Sequence, residues 1–137
     1  MGGHPLKCLL DTHTWIWWHA DSNKLSPKVK QLILDSDYDE LLLSAISVWE
    51  FSKLLEKGKI RISYAAEDWI RDALAMPKLR LVELTPYISF QSTVLPGSFH
   101  QDPADQIIVA TARVENAIIL TKDERMLSYA HAKTIWD

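Results

Sequence analysis

Cysteine is almost missing from this chain: Cys8 stands alone among 137 residues. A lone thiol closes no internal disulfide, which suits a reducing compartment, and the expected location is the cytoplasm. Glycine is scarce too, at four residues, and the chain holds neither a phosphate-cradling P-loop nor a Gly-x-Ser-x-Gly nucleophile elbow. Positive charge is in deficit, with 15 Lys and Arg against 18 Asp and Glu for a formal net charge of −3. That balance argues against binding nucleic acid through bulk positive charge, but not against a nuclease that holds phosphates through metal ions and local basic patches. Runs of membrane-spanning length are absent, and Met1-Gly-Gly-His-Pro is too short and too polar for a signal peptide. No repeat, low-complexity tract or linker divides the chain.

What is present is ordinary globular material, 47% hydrophobic and 24% charged. One domain over residues 1–137 is expected, with residues 1–5 outside the packed fold, disordered or carried over from expression. Leu6–Leu10 reads as a buried strand ending in Asp11, and Thr12 as a cap for a helix over 13–20. That helix carries Trp15, Ile16, Trp17 and Trp18, a density that implies core burial or a partner surface. Ser26-Pro27 opens a second helix, residues 35–40 form an acidic turn, and Leu41–Leu43 form a second strand. Ser44 caps a helix over 45–56, stopped at Gly58. Lys53, Lys57, Lys59 and Arg61 around that glycine are either a solvated helix end or a phosphate-contacting patch. A helix over 65–76, a strand over 79–84 and a helix from Pro86 through Val94 follow. After a Pro96-Gly97-Ser98 loop come a helix from Pro103, a strand over 117–120, a helix over 124–132 and an edge strand over 133–136. Strands alternating with helices predict an α/β fold in three layers, with a central, mostly parallel sheet of about five strands covered on both faces.

The stretch from His100 to Arg113 organises the rest. Asp102-Pro103 is a helix start, and Asp105, Ile108, Val109 and Ala112 then share one helix face. Asp105 is thereby aimed over the edge of a core, where an unpaired charge is costly. Glu50 stands in a similar stripe with Ile46 and Leu54. Asp11, Glu50, Asp102, Asp105 and Asp123 all fall at strand ends or on the first turns of the helices that follow, the rim where open α/β sheets bind ligands. Packed together, five acids raise one another's pKa unless a cation neutralises them. Oxygen donors with no Cys or His cluster favour Mg²⁺ or Mn²⁺ over zinc, and such ions serve phosphate chemistry. His13 and His100 read as surface polarity, and Cys8 as core.

Four motifs appear in order: Leu9-Leu-Asp-Thr-His13, Ser44-Ala-Ile-Ser-Val-Trp-Glu50, Asp102-Pro-Ala-Asp105 with Ile107-Ile-Val-Ala-Thr-Ala112, and Leu120-Thr-Lys-Asp123. The set resembles the PIN-domain family, in particular VapC-type toxins of bacterial toxin–antitoxin pairs, over nearly the whole chain. The resemblance implies a Mg²⁺-dependent ribonuclease, commonly a homodimer, silenced by a cognate antitoxin whose tail lies over the site. It carries Asp11, Glu50, Asp105 and Asp123 onto the family's acidic quartet, with Asp11 and Asp105 as the principal metal positions and Asp102 as an accessory acid. Gln106 departs from the pattern, since that subgroup commonly has Arg after the second Asp. A PIN-like interaction module without catalysis is one alternative. A receiver-type signalling domain is another, and a haloacid-dehalogenase phosphohydrolase a third, although both want a second acid close behind Asp11.

Overall fold

The computed structural model describes residues 6–35 and 38–137. Residues 1–5 and 36–37, on which parts of the expected N-terminal extension and acidic turn fall, lie outside the described residues. The elements run β1 (Leu6–Leu10), α1 (Thr12–His19), α2 (Pro27–Leu34), β2 (Tyr38–Ser44), α3 (Ala45–Glu56) and α4 (Ala66–Leu74). They continue as β3 (Leu79–Val82), α5 (Pro86–Gln91), α6 (Pro103–Glu115), β4 (Ile118–Leu120), α7 (Glu124–Leu127) and β5 (Thr134–Ile135).

The five strands form one sheet in the order β3-β2-β1-β4-β5, with every neighbouring pair parallel. Both faces are buried at the centre of the sheet, so residues 8–10 of β1, 41–43 of β2 and all of β4 are apolar at successive positions, while β3 at the edge carries the exposed Arg80. Cys8, Leu10, Leu41, Leu43 and Leu120 pack into one core with Trp15, Val29, Phe51 and Trp69 from α1 to α4. Leu9, Leu42 and Ile119 point the other way, against Ile88, Ile108, Val109 and Met126 from α5 to α7. This is the expected three-layer α/β/α arrangement. Its handedness follows: the first two crossovers step outward from β1 on one face, and the later ones return past β1 on the other.

Boundaries differ from the sequence reading where local hydrogen bonding or distant pairing decides. β2 starts three residues before Leu41, because Tyr38 and Glu40 pair with Leu6 and Lys7 of β1, and the Glu40 side chain is held by Arg80, at 3.0 and 3.3 Å, and by Lys7 at 3.7 Å. α5 ends at Gln91, where the Ser92 and Thr93 hydroxyls donate to the Ser89 and Phe90 carbonyls, each at 2.7 Å. α7 stops at Leu127, and Tyr129 turns into the second core with its hydroxyl on the Pro96 carbonyl.

The Trp-rich helix is mostly packing. Trp15 is fully buried, donates to the Ala73 carbonyl at 3.1 Å and lies edge-on to Phe51 and Trp69, which stack 4.1 Å apart. Trp17 and Trp18 are half-buried against the same core, Trp17 beside Trp136.

Candidate metal and active site

The chain leaves β1 toward β2 and β3 on one side, then returns to place β4 on β1's other side. The carboxyl ends of β1 and β4 therefore flank the point where strand order reverses, the usual ligand position in open α/β sheets. Asp11 sits there. Its backbone N–H donates to the Leu120 carbonyl at 3.2 Å, tying the two strand ends together. Its carboxylate accepts from Thr121 Oγ1 at 2.7 Å and from the Thr12 N–H at 2.8 Å, so that it also caps α1.

Two more acids reach the same point. Asp105, in the first turn of α6, is turned inward by the face that buries Ile108, Val109 and Ala112. Glu50 is brought by α3, whose start is fixed by Ser44 Oγ on the Ile46 N–H at 3.2 Å. The Thr12 hydroxyl donates to Glu50 Oε1 and lies 2.8 Å from the fully buried Ser47 hydroxyl. Ligating oxygens of Asp11, Glu50 and Asp105 all lie within 4.8 Å of one another. Asp11 and Asp105 are each only 8% exposed.

Such a cluster resists ionisation. Burial pushes the Asp105 carboxyl up to about 8, with Asp11, Asp102, Glu50 and Asp123 adding to the rise. Burial also raises Asp11, against the opposing hydrogen bonds from Thr121 and Thr12, and raises Glu50 against the bond from Thr12. Cationic relief is small: Arg125 lies 3.5 Å from Asp105 and 3.4 Å from Asp123, with most of its side chain in solvent. Three carboxylates in this arrangement form an all-oxygen donor set for a hard divalent cation.

Asp102 and Asp123 stand outside that group of ligating atoms. Asp102 caps α6 by accepting from the Asp105 N–H at 3.0 Å, and Asp123 caps α7 through the Arg125 and Met126 N–H groups at 2.8 and 3.2 Å. Their charges still act on Glu50 and Asp105.

Several neighbours escape a reading of the sequence. Thr12 is not the cap expected of it; Asp11 takes that role and frees the Thr12 hydroxyl for Glu50. His100 is not surface polarity: its Nε2 is buried 3.1 Å from Asp105 Oδ2, off the line of a hydrogen bond, while Nδ1 accepts from the Asp102 N–H at 3.3 Å. Gln106 spends its side-chain amide on the His100 carbonyl at 3.0 Å, and the guanidinium near the acids comes instead from Arg125. The only sequence signal for these residues is adjacency to the acids.

Comparison with known proteins agrees with this arrangement. The profile of the family described as PIN domain matches residues 8–132. The chain is 35% identical over 130 residues to "Ribonuclease VapC22" of Mycobacterium tuberculosis (strain ATCC 25618 / H37Rv), covering 93% of this chain and 97% of that protein. The fold is similar to the crystal structure of VapBC2 from Rickettsia felis bound to a promoter DNA fragment, at a TM-score of 0.70 and 16% identity, covering 96% of this chain and 100% of that one. It is also similar to DNA-bound VapBC from Salmonella typhimurium, at a TM-score of 0.66 and 18% identity, covering 95% and 97%. With a profile running from β1 to the turn before β5, and a relative matched along nearly its whole length, the chain belongs to the PIN-domain family.

Proposed function

We propose that this chain, acting as one domain over residues 1–137, is a Mg²⁺-dependent endoribonuclease and the toxin of a toxin–antitoxin pair, with Mn²⁺ able to substitute. The observation that carries the reading is the buried group of Asp11, Glu50 and Asp105 at the strand-order reversal, a costly assembly that a divalent cation relieves. A relative named as a ribonuclease supports the reaction class, and structural neighbours that are VapBC toxin–antitoxin complexes support an antitoxin partner. Among the described residues no helix is long and apolar enough to cross a membrane. We place the protein in the cytoplasm as a homodimer. Tyr87 and Phe90, about 60% exposed and one turn apart on α5 with Val94 beyond, offer apolar surface for an antitoxin or a second subunit.

Asp11 and Asp105 are the principal metal ligands, Glu50 and Asp123 complete the catalytic set, and Asp102 is accessory. The chemistry a bound cation supplies is neutralisation of charge on the scissile phosphate and acidification of a water. The protein's part is positional. Thr121 and Thr12 fix the Asp11 carboxylate, and Thr12, backed by Ser47, fixes one oxygen of Glu50. The other oxygen of Glu50 accepts the proton of the attacking water as that water's oxygen bonds to phosphorus, and the ribose oxygen takes a proton from solvent as its own bond to phosphorus breaks. Arg125 offers guanidinium donors to the phosphate, the charge that Gln106 does not provide.

Single-turnover cleavage of total RNA by antitoxin-free protein tests this. Cleavage is expected with Mg²⁺ or Mn²⁺ and abolished by excess chelator. Glu50→Gln lowers the rate by about 10²-fold or more without loosening RNA binding, and Asp102→Asn, which keeps its cap, costs far less. Cleavage that survives the chelator, or full activity in Glu50→Gln, refutes the assignment.

A further inference from the structure

Beside Glu50 lies a pocket of about 270 Å³ between the C-terminal half of α3 and the start of α6, lined by Trp49, Lys53, Lys57, Lys59, Asp102 and Pro103 among others. Trp49 precedes Glu50 in the helix and is 54% exposed, although the chain has two apolar cores in which to bury a ring. Lys53 stands over that ring at 6.0 Å and is shared with Glu56 at 2.9 Å. Lys57 and Lys59 are exposed and hold no ion pair among the described residues. Their placement is built into the backbone. Gly58 takes φ +69°, and the Gly58 and Lys59 N–H groups return to the Leu55 and Leu54 carbonyls at 3.0 and 2.9 Å, turning the chain back around the helix end. Three cations thus gather on a chain of net charge −3, in a pocket whose lining also includes Glu50 and Asp102.

We propose that this pocket is a subsite for one nucleotide of single-stranded RNA next to the scissile phosphate, a reading that rests on the ribonuclease function above. The base stacks on Trp49, and the flanking backbone phosphates meet Lys57 and Lys59. Adjacency to Glu50 places the next phosphate of the same strand at the acids, where a cation is required, while the lysines hold the phosphate that no cation covers. The pocket has room for one nucleotide and not for a duplex, whose bases are unavailable to an aromatic face.

The test is fluorescence anisotropy of a short labelled single-stranded RNA in excess chelator, with the full chain freed of antitoxin. Trp49→Ala is expected to weaken binding about tenfold, the scale of one lost base–aromatic stack. Trp49→Phe, which keeps a stacking face, restores most of it. Lys57→Gln with Lys59→Gln lowers the slope of log affinity on log salt by about 1.4, two phosphate contacts on a single strand. An RNA duplex binds more weakly and ignores Trp49. Circular dichroism melts keep the comparison to folded protein. Trp49→Ala binding within twofold of the parent, with an unchanged salt slope in the lysine variant, overturns the proposal. So does a Trp49→Ala protein that loses an antitoxin peptide but not RNA. Because binding is read without metal, its outcome stands apart from failure of the parent protein to cleave RNA with Mn²⁺, which strikes the ribonuclease reading instead.

Discussion

Replacing Asp105 by Asn should stabilise the metal-free protein, and the effect should depend on pH. A carboxyl held at about 8 in the fold and near 3.8 when unfolded binds its proton more tightly in the folded state. Stability from this group is therefore full below about pH 4 and declines as pH rises toward 8, because the unfolded chain releases the proton first. At pH 7 the penalty reaches about 4 kcal/mol as an upper figure. Water entering the metal-free cluster reduces it, so a gain of about 1–3 kcal/mol is expected for Asp105→Asn. That corresponds to a rise in Tm of about 3–10 °C. Thermal unfolding followed by circular dichroism in chelator, at pH 5 and pH 7.5, is the assay. The parent should melt lower at pH 7.5 than at pH 5, and the variant should lose most of that difference. Asp11 and Glu50, also raised by burial, leave a shallower slope of the same sign. Added Mn²⁺ should raise the parent's Tm at pH 7.5 and leave the variant's nearly unmoved. A variant less stable than the parent at pH 7.5 in chelator, or a parent indifferent to pH, would refute the reasoning.

Titration calorimetry of the chelator-stripped protein should show Mn²⁺ binding that vanishes in the Asp11→Asn, Asp105→Asn double variant; in buffers of different ionisation enthalpy below pH 8, the heats should reveal proton release from Asp105. On the opposite side of the balance, Trp15→Ala removes a fully buried ring and its hydrogen bond to the Ala73 carbonyl, and should cost about 3–5 kcal/mol in urea unfolding.

Local pattern carries the reading of this sequence a long way and then stops at a definable place. Strands such as Leu41–Leu43 announce themselves because burial on both sides leaves no polar residue in the run. The helix starts at Ser26-Pro27 and Asp102-Pro103 are legible because capping is settled within three residues. All five rim acids are legible as well, from topology alone. What the sequence does not tell is which of them meet. Asp102 and Asp123 fall on the same rim as Asp105, yet each spends a carboxylate oxygen on its own helix, while Asp105 is turned inward, as its stripe with Ile108, Val109 and Ala112 implies. The bonds that set the site join Thr12 to Glu50 across 38 positions and Thr121 to Asp11 across 110, distances over which periodicity has nothing to say. The Trp15–Trp18 run shows the same limit, since four large residues in succession cannot share one helix face. The fold resolves it by covering α1 from several sides, with α4 over Trp15 and Trp136 beside Trp17.

The bond between Thr121 and Asp11 also sets a clock. Synthesis proceeds from the N-terminus, so β1 emerges first and waits beside an empty edge until β4, at Ile118–Leu120, has been made. Until then Asp11 lacks the backbone partner at Leu120 and the hydroxyl of Thr121, and only the last part of the chain can supply both. Asp105, borne on α6, is delivered only shortly before. A chain grown only to the end of α6 therefore carries Asp11, Glu50 and Asp105 without the bonds that fix Asp11 beside them. Residues 120 and 121 thus set the earliest point at which the Asp11 carboxylate can take its place among the acids.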